Sequence, residues 1–327
     1  MTEKIINNRW KLLNKIGKGG YGKIYTALDL QTNKKVAVKI ERGTHKRQAL
    51  KMERNVLYKY KDSPYAPDFI YFGNYEGSDY IVMELLGKNY TDLRRKQPNG
   101  IFSLQTTLKL GINMISAIED LHNTGFIHRD IQPANFAIRI KENQDPKKNS
   151  FCCLFDYGLA RRHLDENGEA REARRKTGFR GTNKFASINA HISIELSRRD
   201  DLWSLLFVLI EFYTRKLPWK NIEQKDKIIE LKKKSISQEL CKDLPNEFNS
   251  FYLHLNSLSY GDKPNYELLR NLLKNVYRRF LISEDMLLDW EISGNSLQNK
   301  SIPQNPKLKS KLKSKSKSKS KIKFKFK

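Results

Sequence analysis

The sequence predicts an α+β protein in which a small, strand-rich N-terminal lobe precedes a larger helical lobe. Three features lead to this prediction. Two-residue periodicity dominates the first part of the chain, helical periodicity dominates from Leu104 onward, and the segment 202–210 is apolar on every side. A helix that is apolar all round is buried in the interior of a domain, so 202–210 should form the centre of the second lobe.

The strand pattern of the first lobe is clearest at residues 36–40. Val36, Val38 and Ile40 alternate there with Ala37 and Lys39, which gives the strand two different faces. Residues 31–34 have the composition of a hairpin turn, residues 78–86 predict a further strand, and helical spacing over residues 50–60 predicts a single helix.

The second lobe is predicted to begin with a helix from Leu104. Its apolar stripe starts at Leu108 and runs through Ile115 and Ile118 to His122, and Gly125 follows where a helix C-cap is expected. The predicted organisation is an N-terminal extension (1–8), the first lobe (9–86), the second lobe (87–290) and a C-terminal tail (291–327).

The tail carries a large part of the net charge. Of the formal +26, twelve lysines with no acidic residue lie between Lys300 and Lys327, which leaves +14 for residues 1–299. This Lys/Ser-rich segment cannot bury enough apolar surface to offset its ordering entropy, so it is predicted to be disordered.

Composition also predicts the cellular compartment. The three cysteines have neither a disulfide framework nor zinc-site spacing, and the first residues lack the apolar region of a signal peptide. The longest apolar run, 205–210, is too short to cross a bilayer. We therefore expect an intracellular protein, cytoplasmic or nuclear.

A glycine-rich segment at 17–24 contains the pattern G-x-G-x-x-G. Alone this pattern is weak, because a plain turn or a dinucleotide site has the same spacing. A dinucleotide fingerprint opens a helix, whereas these glycines lead into 24–27, which has a strand pattern. A hairpin whose bare backbone closes over phosphates fits this context better.

Lys39 and Glu53 are predicted to form an ion pair. Lys39 lies between apolar neighbours in the middle of its strand, and Glu53 lies on the apolar stripe of the predicted helix. A carboxylate on a buried face needs a partner. The pair satisfies both side chains and would direct the ammonium group of Lys39 toward phosphates. The alternative is that Lys39 lies on the protein surface, as most lysines do.

The segment 128–135 and the segment 155–158 are the candidates for catalysis. In the first, Asp130 would orient an acceptor hydroxyl and take its proton, while Asn135 would bind a metal ion. In the second, Asp156 follows an apolar stretch and would supply another metal ligand. Magnesium prefers hard oxygen ligands and substrate phosphates, which matches this set of side chains.

Together these motifs resemble the signature of eukaryotic protein kinases, over about residues 10–281. The resemblance implies a two-lobed kinase fold, ATP and Mg²⁺ as cofactors, and transfer of the γ-phosphate to serine or threonine hydroxyls of protein substrates. It implies four catalytic residues (Asp130, Gln132, Asn135 and Thr182) and two metal ligands (Asn135 and Asp156). The nucleotide site it implies comprises Ile16, Gly17, Lys18, Gly19, Gly20, Tyr21, Gly22, Lys23, Ile24, Ala37, Lys39 and Glu53, with Met83, Glu84 and Leu85 as gatekeeper and hinge.

The subgroup is indicated by the segments 187–191 and 197–201. They read Ser-Ile-Asn-Ala-His and Ser-Arg-Arg-Asp-Asp, which resembles the casein kinase I group. Residues 178–182, 201–204 and 217–219 are most similar to the tau-tubulin kinase branch. By this resemblance Asp201 anchors the backbone of the catalytic loop, and Thr182 touches the catalytic aspartate as in serine/threonine kinases.

Gln132 departs from the kinase pattern, which has a lysine at this position. Losing one preorganised charge typically costs on the order of 10²–10³ in rate, and the remaining amide donor should soften this to roughly ten- to hundredfold. The alternative is a pseudokinase, a nucleotide-binding scaffold without transfer. Five retained functional residues favour activity: Lys39, Glu53, Asp130, Asn135 and Asp156. Tyr157 in place of phenylalanine is a milder change.

Two basic regions bear on partners. Residues 156–187 contain six arginines among several acidic residues, which fits either a solvated loop or a site for acidic or phosphorylated substrates. The arginines are Arg161, Arg162, Arg171, Arg174, Arg175 and Arg180. The tail could be an inert solubilising segment, or it could contact an import receptor, nucleic acid or an anionic membrane surface. A nucleic-acid-binding function for the folded part has no motif to support it.

Overall fold

A computed structural model describes residues 4–19, 22–41, 47–140, 148–149, 151–235, 240–283 and 285–295. Two compact units are present, Met1–Met286 and Leu287–Lys327. The first unit begins with a lobe made of strands β1 (Ile5–Ile6), β2 (Trp10–Gly19), β3 (Gly22–Asp29), β4 (Lys34–Glu41), β5 (Phe69–Tyr75) and β6 (Ser78–Glu84), with helix α1 (Arg47–Tyr60) between β4 and β5. The prediction of a strand-rich lobe with a single helix is confirmed.

These strands form one antiparallel sheet in the order β1-β2-β3-β4-β6-β5. Val36 and Val38 face a buried cluster with Trp10 and Tyr80. Because side chains alternate along a strand, Lys39 lies on the opposite face, as the sequence pattern predicted.

Two boundaries differ in detail from the sequence patterns. The hairpin turn occupies residues 30–33, and Lys34 already begins β4. The strand predicted over 78–86 is interrupted at Leu85: β6 ends at Glu84, and a new strand, β7 (Leu86–Asn89), joins the second lobe's small sheet by pairing with β9 (Phe136–Arg139). A continuous strand-like pattern does not reveal where a strand changes sheet, and this break forms the connection between the lobes.

The second lobe is mainly helical. Its long helices are α3 (Leu104–Asn123), α5 (Arg198–Thr214), α6 (Lys225–Ser235), α7 (Glu247–Ser257) and α8 (Tyr266–Phe280). The shorter elements are α2 (Tyr90–Arg95), β8 (Phe126–Ile127), β10 (Cys153–Leu154), β11 (Arg161–Arg162) and α4 (Ile188–His191). The described part of the lobe also has 3₁₀ turns at Pro98–Gly100, Pro133–Asn135 and Tyr157–Leu159.

The helix predicted from Leu104 is confirmed as α3. Its N-cap is Ser103, whose hydroxyl accepts a hydrogen bond from Thr106 N at 3.1 Å. The predicted stripe from Leu108 to His122 is buried, and Gly125 ends the helix with φ +88°. Residues 202–210 of α5 are all buried, as their apolar pattern predicted, and the buried stretch extends over 200–212.

The second unit contains helix α9 (Asp289–Asn295). Leu288, the residue before the helix, donates from its backbone N to Glu291 Oε2 at 2.7 Å. Helix α9 includes the first five residues of the segment predicted as the tail, 291–295, and residues 296–327 lie outside the described part of the chain. The predicted domain boundaries therefore stay predictions. None of the described helices has the length and apolar character that crossing a membrane requires.

Candidate active site

The glycine-rich segment contributes to two paired antiparallel strands, and no helix begins at its glycines, as its context predicted. Strands β2 and β3 pair from Trp10–Asp29 to Gly19–Gly22, while Gly20 and Tyr21 lie outside the described residues. Gly22 is needed for packing, because a Cβ there would lie 2.3 Å from Ile40 O. Backbone without side chains can approach a phosphate group closely.

Lys39 forms the predicted ion pair and a second one. Its Nζ lies 2.6 Å from Glu53 Oε2 on α1 and 2.7 Å from Asp156 Oδ1 in the second lobe. Burial alone would lower the pKa of Lys39, but the two carboxylates outweigh it and raise the pKa above the ordinary value. The charge of Lys39 in turn outweighs burial at Asp156 and holds the pKa of that carboxyl below its usual range. The ammonium group is therefore charged and fixed between the two lobes.

Several predicted nucleotide-binding residues lie close to Lys39 on strands β3, β4 and β6. Ala37 and Met83 are direct partners across β4 and β6, and Ile24 on β3 is opposite Lys39. Ile16 on β2 is 53% exposed, although its side chain is entirely apolar. This arrangement leaves an apolar surface next to a fixed cation, which suits a base and a phosphate chain on one molecule.

The side chain of Glu84, a residue of the predicted hinge, has a structural role. Its carboxylate is buried and is bound by Arg139, and it also accepts from Asp68 N at 3.2 Å. The side chain of Glu84 is therefore occupied within the protein, and its backbone N–H donates to Asp68 O at 2.9 Å. The motifs did not single out Arg139, because its partner lies 55 positions away in the sequence.

The carboxylate of Asp130 accepts hydrogen bonds on both of its oxygens. Thr182 Oγ1 donates to Oδ1 at 2.8 Å, and Gln132 Nε2 donates to Oδ2 at 2.8 Å. Asn135 Nδ2 donates to the backbone oxygen of Asp130, also at 2.8 Å. Burial raises the pKa of Asp130 above its ordinary value, which makes the carboxylate a stronger proton acceptor. The four residues predicted to be catalytic therefore lie together.

Asp201 fixes the backbone that precedes Asp130. His128 N donates to Asp201 Oδ2 at 2.7 Å and Arg129 N donates to Oδ1 at 2.8 Å, while His122 Nε2 lies 2.9 Å from Oδ2. These contacts hold Arg129 at φ +67°, in the left-handed region. Burial alone would raise the pKa of Asp201, but its contacts with His122 and the backbone N–H groups lower it below the usual value.

Replacing Asp201 with asparagine should destabilise the fold by about 3 kcal/mol, because an amide NH₂ would face donors inside a buried network. The contribution of Asp201 should be complete above its unfolded pKa, about 3.8, and should be lost as pH falls through the lower folded value. Urea unfolding of Asp201→Asn at neutral pH measures this loss, with exposed Asp62→Asn as the matched control. Equal unfolding midpoints for the two variants would contradict the anchoring role.

Asn135 and Asp156 fit a magnesium ion. Phe155 N donates to Asn135 O at 3.0 Å, which brings the two segments together. Asn135 uses its amide nitrogen toward Asp130, so its amide oxygen is the atom that can bind a metal, and the side chain of Asp156 is 38% exposed. Among the described residues no group of three or more His, Cys, Asp or Glu side chains could hold a metal. Two oxygen ligands completed by phosphate and water match the way Mg²⁺ binds with nucleotides.

Tyr157 follows Asp156 and is fully buried. Its hydroxyl donates to Leu154 O, and its ring meets Tyr60 and His128 edge to face at 5.9 and 5.5 Å. The hydroxyl that distinguishes it from phenylalanine is therefore satisfied. This contact supports the interpretation of Tyr157 as a mild departure from the kinase pattern.

The six arginines of the segment 156–187 do not form one site. Arg161 and Arg174 bind Glu195, with Arg161 Nε 3.3 Å from Oε1 and Arg174 in a bidentate pair. Burial lowers the pKa of Arg129 to about 10, and the nearby charges of Arg161, Arg174 and Arg180 add to this effect. Arg162 and Arg171 instead line a cavity beside α1, and Arg175 is exposed.

The two lobes, the cation clamped between Glu53 and Asp156, and the held carboxylate of Asp130 are the arrangement of the protein kinase class. The chain matches the protein kinase domain over residues 10–287 and belongs to this family. It is also 46% identical over 292 residues to a probable serine/threonine-protein kinase of Dictyostelium discoideum. The match covers 89% of this chain and 58% of that relative, so the chain spans little more than half the relative's length.

Proposed function

We propose that this chain is an active serine/threonine protein kinase of the casein kinase I group, most similar to the tau-tubulin kinase branch. The observation that carries the proposal is the geometry at Asp130. Its carboxylate is oriented by Thr182 and Gln132 and has a raised pKa. A carboxylate held in this way can orient an acceptor hydroxyl and take its proton.

The remaining residues position the nucleotide. Lys39, fixed by Glu53, would bind its α- and β-phosphates, and the backbone at the paired ends of β2 and β3, Gly19 and Gly22, would cover them. Asn135 and Asp156 would hold Mg²⁺, which supplies positive charge to the transferring phosphoryl group. Lys39, Asn135 and Asp156 act by positioning and electrostatic stabilisation. Asp130 is the residue that takes the proton of the acceptor hydroxyl.

Preference for serine and threonine over tyrosine is supported by the Thr182–Asp130 contact. Three peptides that differ only in a central serine, threonine or tyrosine test this preference directly. We expect phosphate on the serine and threonine peptides and at least about a hundredfold less on tyrosine. Comparable labelling of all three peptides would contradict the proposed specificity.

Gln132→Lys should increase the rate of transfer about ten- to hundredfold. Gln132 donates to Asp130 at 2.8 Å, and a lysine at this position keeps a donor and adds a charge that stabilises the transferring phosphate. The measurement is kcat with casein and Mg-ATP, and the matched control is Gln31→Lys on an exposed turn. A Gln132→Lys variant no faster than wild type would mean that glutamine serves this chain as well as lysine.

Acidic or phosphorylated protein substrates are supported by the cations near the catalytic loop. Arg129 is surrounded by Arg161, Arg174 and Arg180, and Glu195 neutralises only part of this charge. Guanidinium groups bind phosphate with paired hydrogen bonds. The predicted contacts of the tail with an import receptor, nucleic acid or membrane concern residues 296–327, which lie outside the described part of the chain.

A further inference from the structure

A cavity of about 580 Å³ lies beside helix α1, away from the residues that would hold the nucleotide. Helix α1 forms one side, and the other side comes from Phe69, from Phe126 on β8, and from two arginines after Asp156. We call it the α1 groove. The residues used below are Arg54, Tyr58, Lys59, Phe126, Arg162 and Arg171. Its volume lies within the roughly 300–1,000 Å³ typical of ligand pockets.

The charge of the α1 groove is entirely positive. Four cations line it, and none of the described residues that line it is acidic. Their neighbours are largely neutral: Arg54 donates to Asn55 Oδ1 and lies 4.9 Å from the ring of Phe72, and Lys59 lies 6.0 Å from the ring of Phe126. These contacts leave the charges available to an anionic partner.

Arg162 forms a long ion pair at the edge of the groove, where Asp165 and Glu166 line the adjoining cavity. Its Nη2 lies 4.0 Å from Glu166, whose side chain is 90% exposed. An exposed pair at this distance contributes little energy. A carboxylate of a bound partner could therefore replace Glu166 at low cost.

The α1 groove also has an aromatic wall. Tyr58 is 62% exposed, and Phe69 and Phe126 lie on the opposite side. Aromatic side chains and arginine are enriched in protein interfaces, where an apolar side chain of the partner can insert between them.

The position of the α1 groove connects it to the catalytic machinery. Helix α1 also carries Glu53, which holds Lys39, and it packs against the 3₁₀ turn Tyr157–Leu159. Arg162 and Arg171 belong to the segment between Asp156 and Ser187 that contains Thr182. An occupant would thus contact both the helix and the segment whose positions set the active site.

We propose that the α1 groove is a docking site for an acidic segment of another protein, anchored by one apolar side chain. The occupant would bridge α1 and the segment after Asp156, and it would favour the arrangement in which Lys39 is paired with Glu53. This surface is separate from the site of phosphate transfer, so binding to it does not depend on the proposed activity.

The test uses the full chain and a fluorescent twelve-residue peptide of aspartates and glutamates with one central tryptophan and no hydroxyl-bearing residue. Fluorescence anisotropy at low salt should give a micromolar Kd. Lys59→Glu and Arg171→Glu should each raise this Kd about tenfold, because each change replaces attraction with repulsion. Tyr58→Ala should raise it several-fold, while Lys233→Glu on the exposed side of α6 should change it less than twofold.

Further measurements separate this site from other anion-binding surfaces. Saturating Mg-ATP should not displace the peptide, and replacing its tryptophan with glycine should weaken binding about tenfold. The proposal would be overturned if Lys59→Glu and Arg171→Glu both bound the peptide as tightly as wild type does. It would also be overturned if Mg-ATP displaced the peptide, or if the peptide without tryptophan bound equally well. Tighter binding of a twelve-nucleotide single-stranded RNA, lost in the same variants, would assign the surface to nucleic acid instead. Melting temperatures of the variants, whose altered side chains are exposed, should match wild type.

Discussion

Asp130→Asn should lower the rate of phosphate transfer by at least about a thousandfold. The amide cannot take a proton from the acceptor hydroxyl, and general base catalysis contributes roughly 10²–10⁴ in rate. The change keeps the shape of the side chain and one acceptor oxygen, so Thr182 or Gln132 can still donate to it. Loss of activity would therefore report the missing base and not a misfolded loop.

The assay measures kcat with casein and Mg-ATP, beside the affinity for ATP measured directly. Asp62→Asn, an exposed change of the same kind, should retain full activity. We expect Asp130→Asn to bind ATP as wild type does. Activity within about tenfold of wild type would show that Asp130 is not the base.

Lys39→Met should lower kcat/KM by roughly a hundred- to a thousandfold, because it removes the cation that faces the phosphates. It should also destabilise the fold by about 3 kcal/mol, since Glu53 is left buried without its partner. The exposed Lys35 on the same strand gives the matched control, Lys35→Met. Transfer kinetics and urea unfolding measure the two effects.

A double variant separates the two roles of Lys39. Lys39→Met with Glu53→Gln removes the unpaired carboxylate, so most of the lost stability should return while activity stays low. Recovery of activity together with stability would mean that Lys39 acts only through the fold. Full activity of Lys39→Met alone would contradict any role in binding phosphate.

The ion pair at the centre of the site could be predicted from sequence because each half carries a local signal. Alternation over 36–40 placed Lys39 on the inner face of its strand, and helical spacing placed Glu53 on a buried face. Two oppositely charged side chains that are predicted to be buried in neighbouring elements satisfy each other by forming an ion pair. The structure confirms the contact at 2.6 Å.

Other parts of the site depend on the path of the chain and carry no local signal. Arg139 reaches Glu84 from 55 positions away, and Gln132 turns toward Asp130 although the kinase pattern associates this position with phosphate. The arginines after Asp156 follow no regular spacing in the sequence. Only the fold around Glu195 decides that Arg161 faces the catalytic loop while Arg162, the next residue, faces α1.

The central claim is that this chain transfers phosphate despite glutamine at position 132. The most direct test is transfer from γ-labelled ATP to casein by the purified full chain with Mg²⁺, beside Asp130→Asn as the blank, with ATP binding measured for both. We predict label on casein with wild type and none above background with Asp130→Asn. Wild type that binds ATP and yet labels casein no more than the blank would contradict the claim and identify a nucleotide-binding pseudokinase.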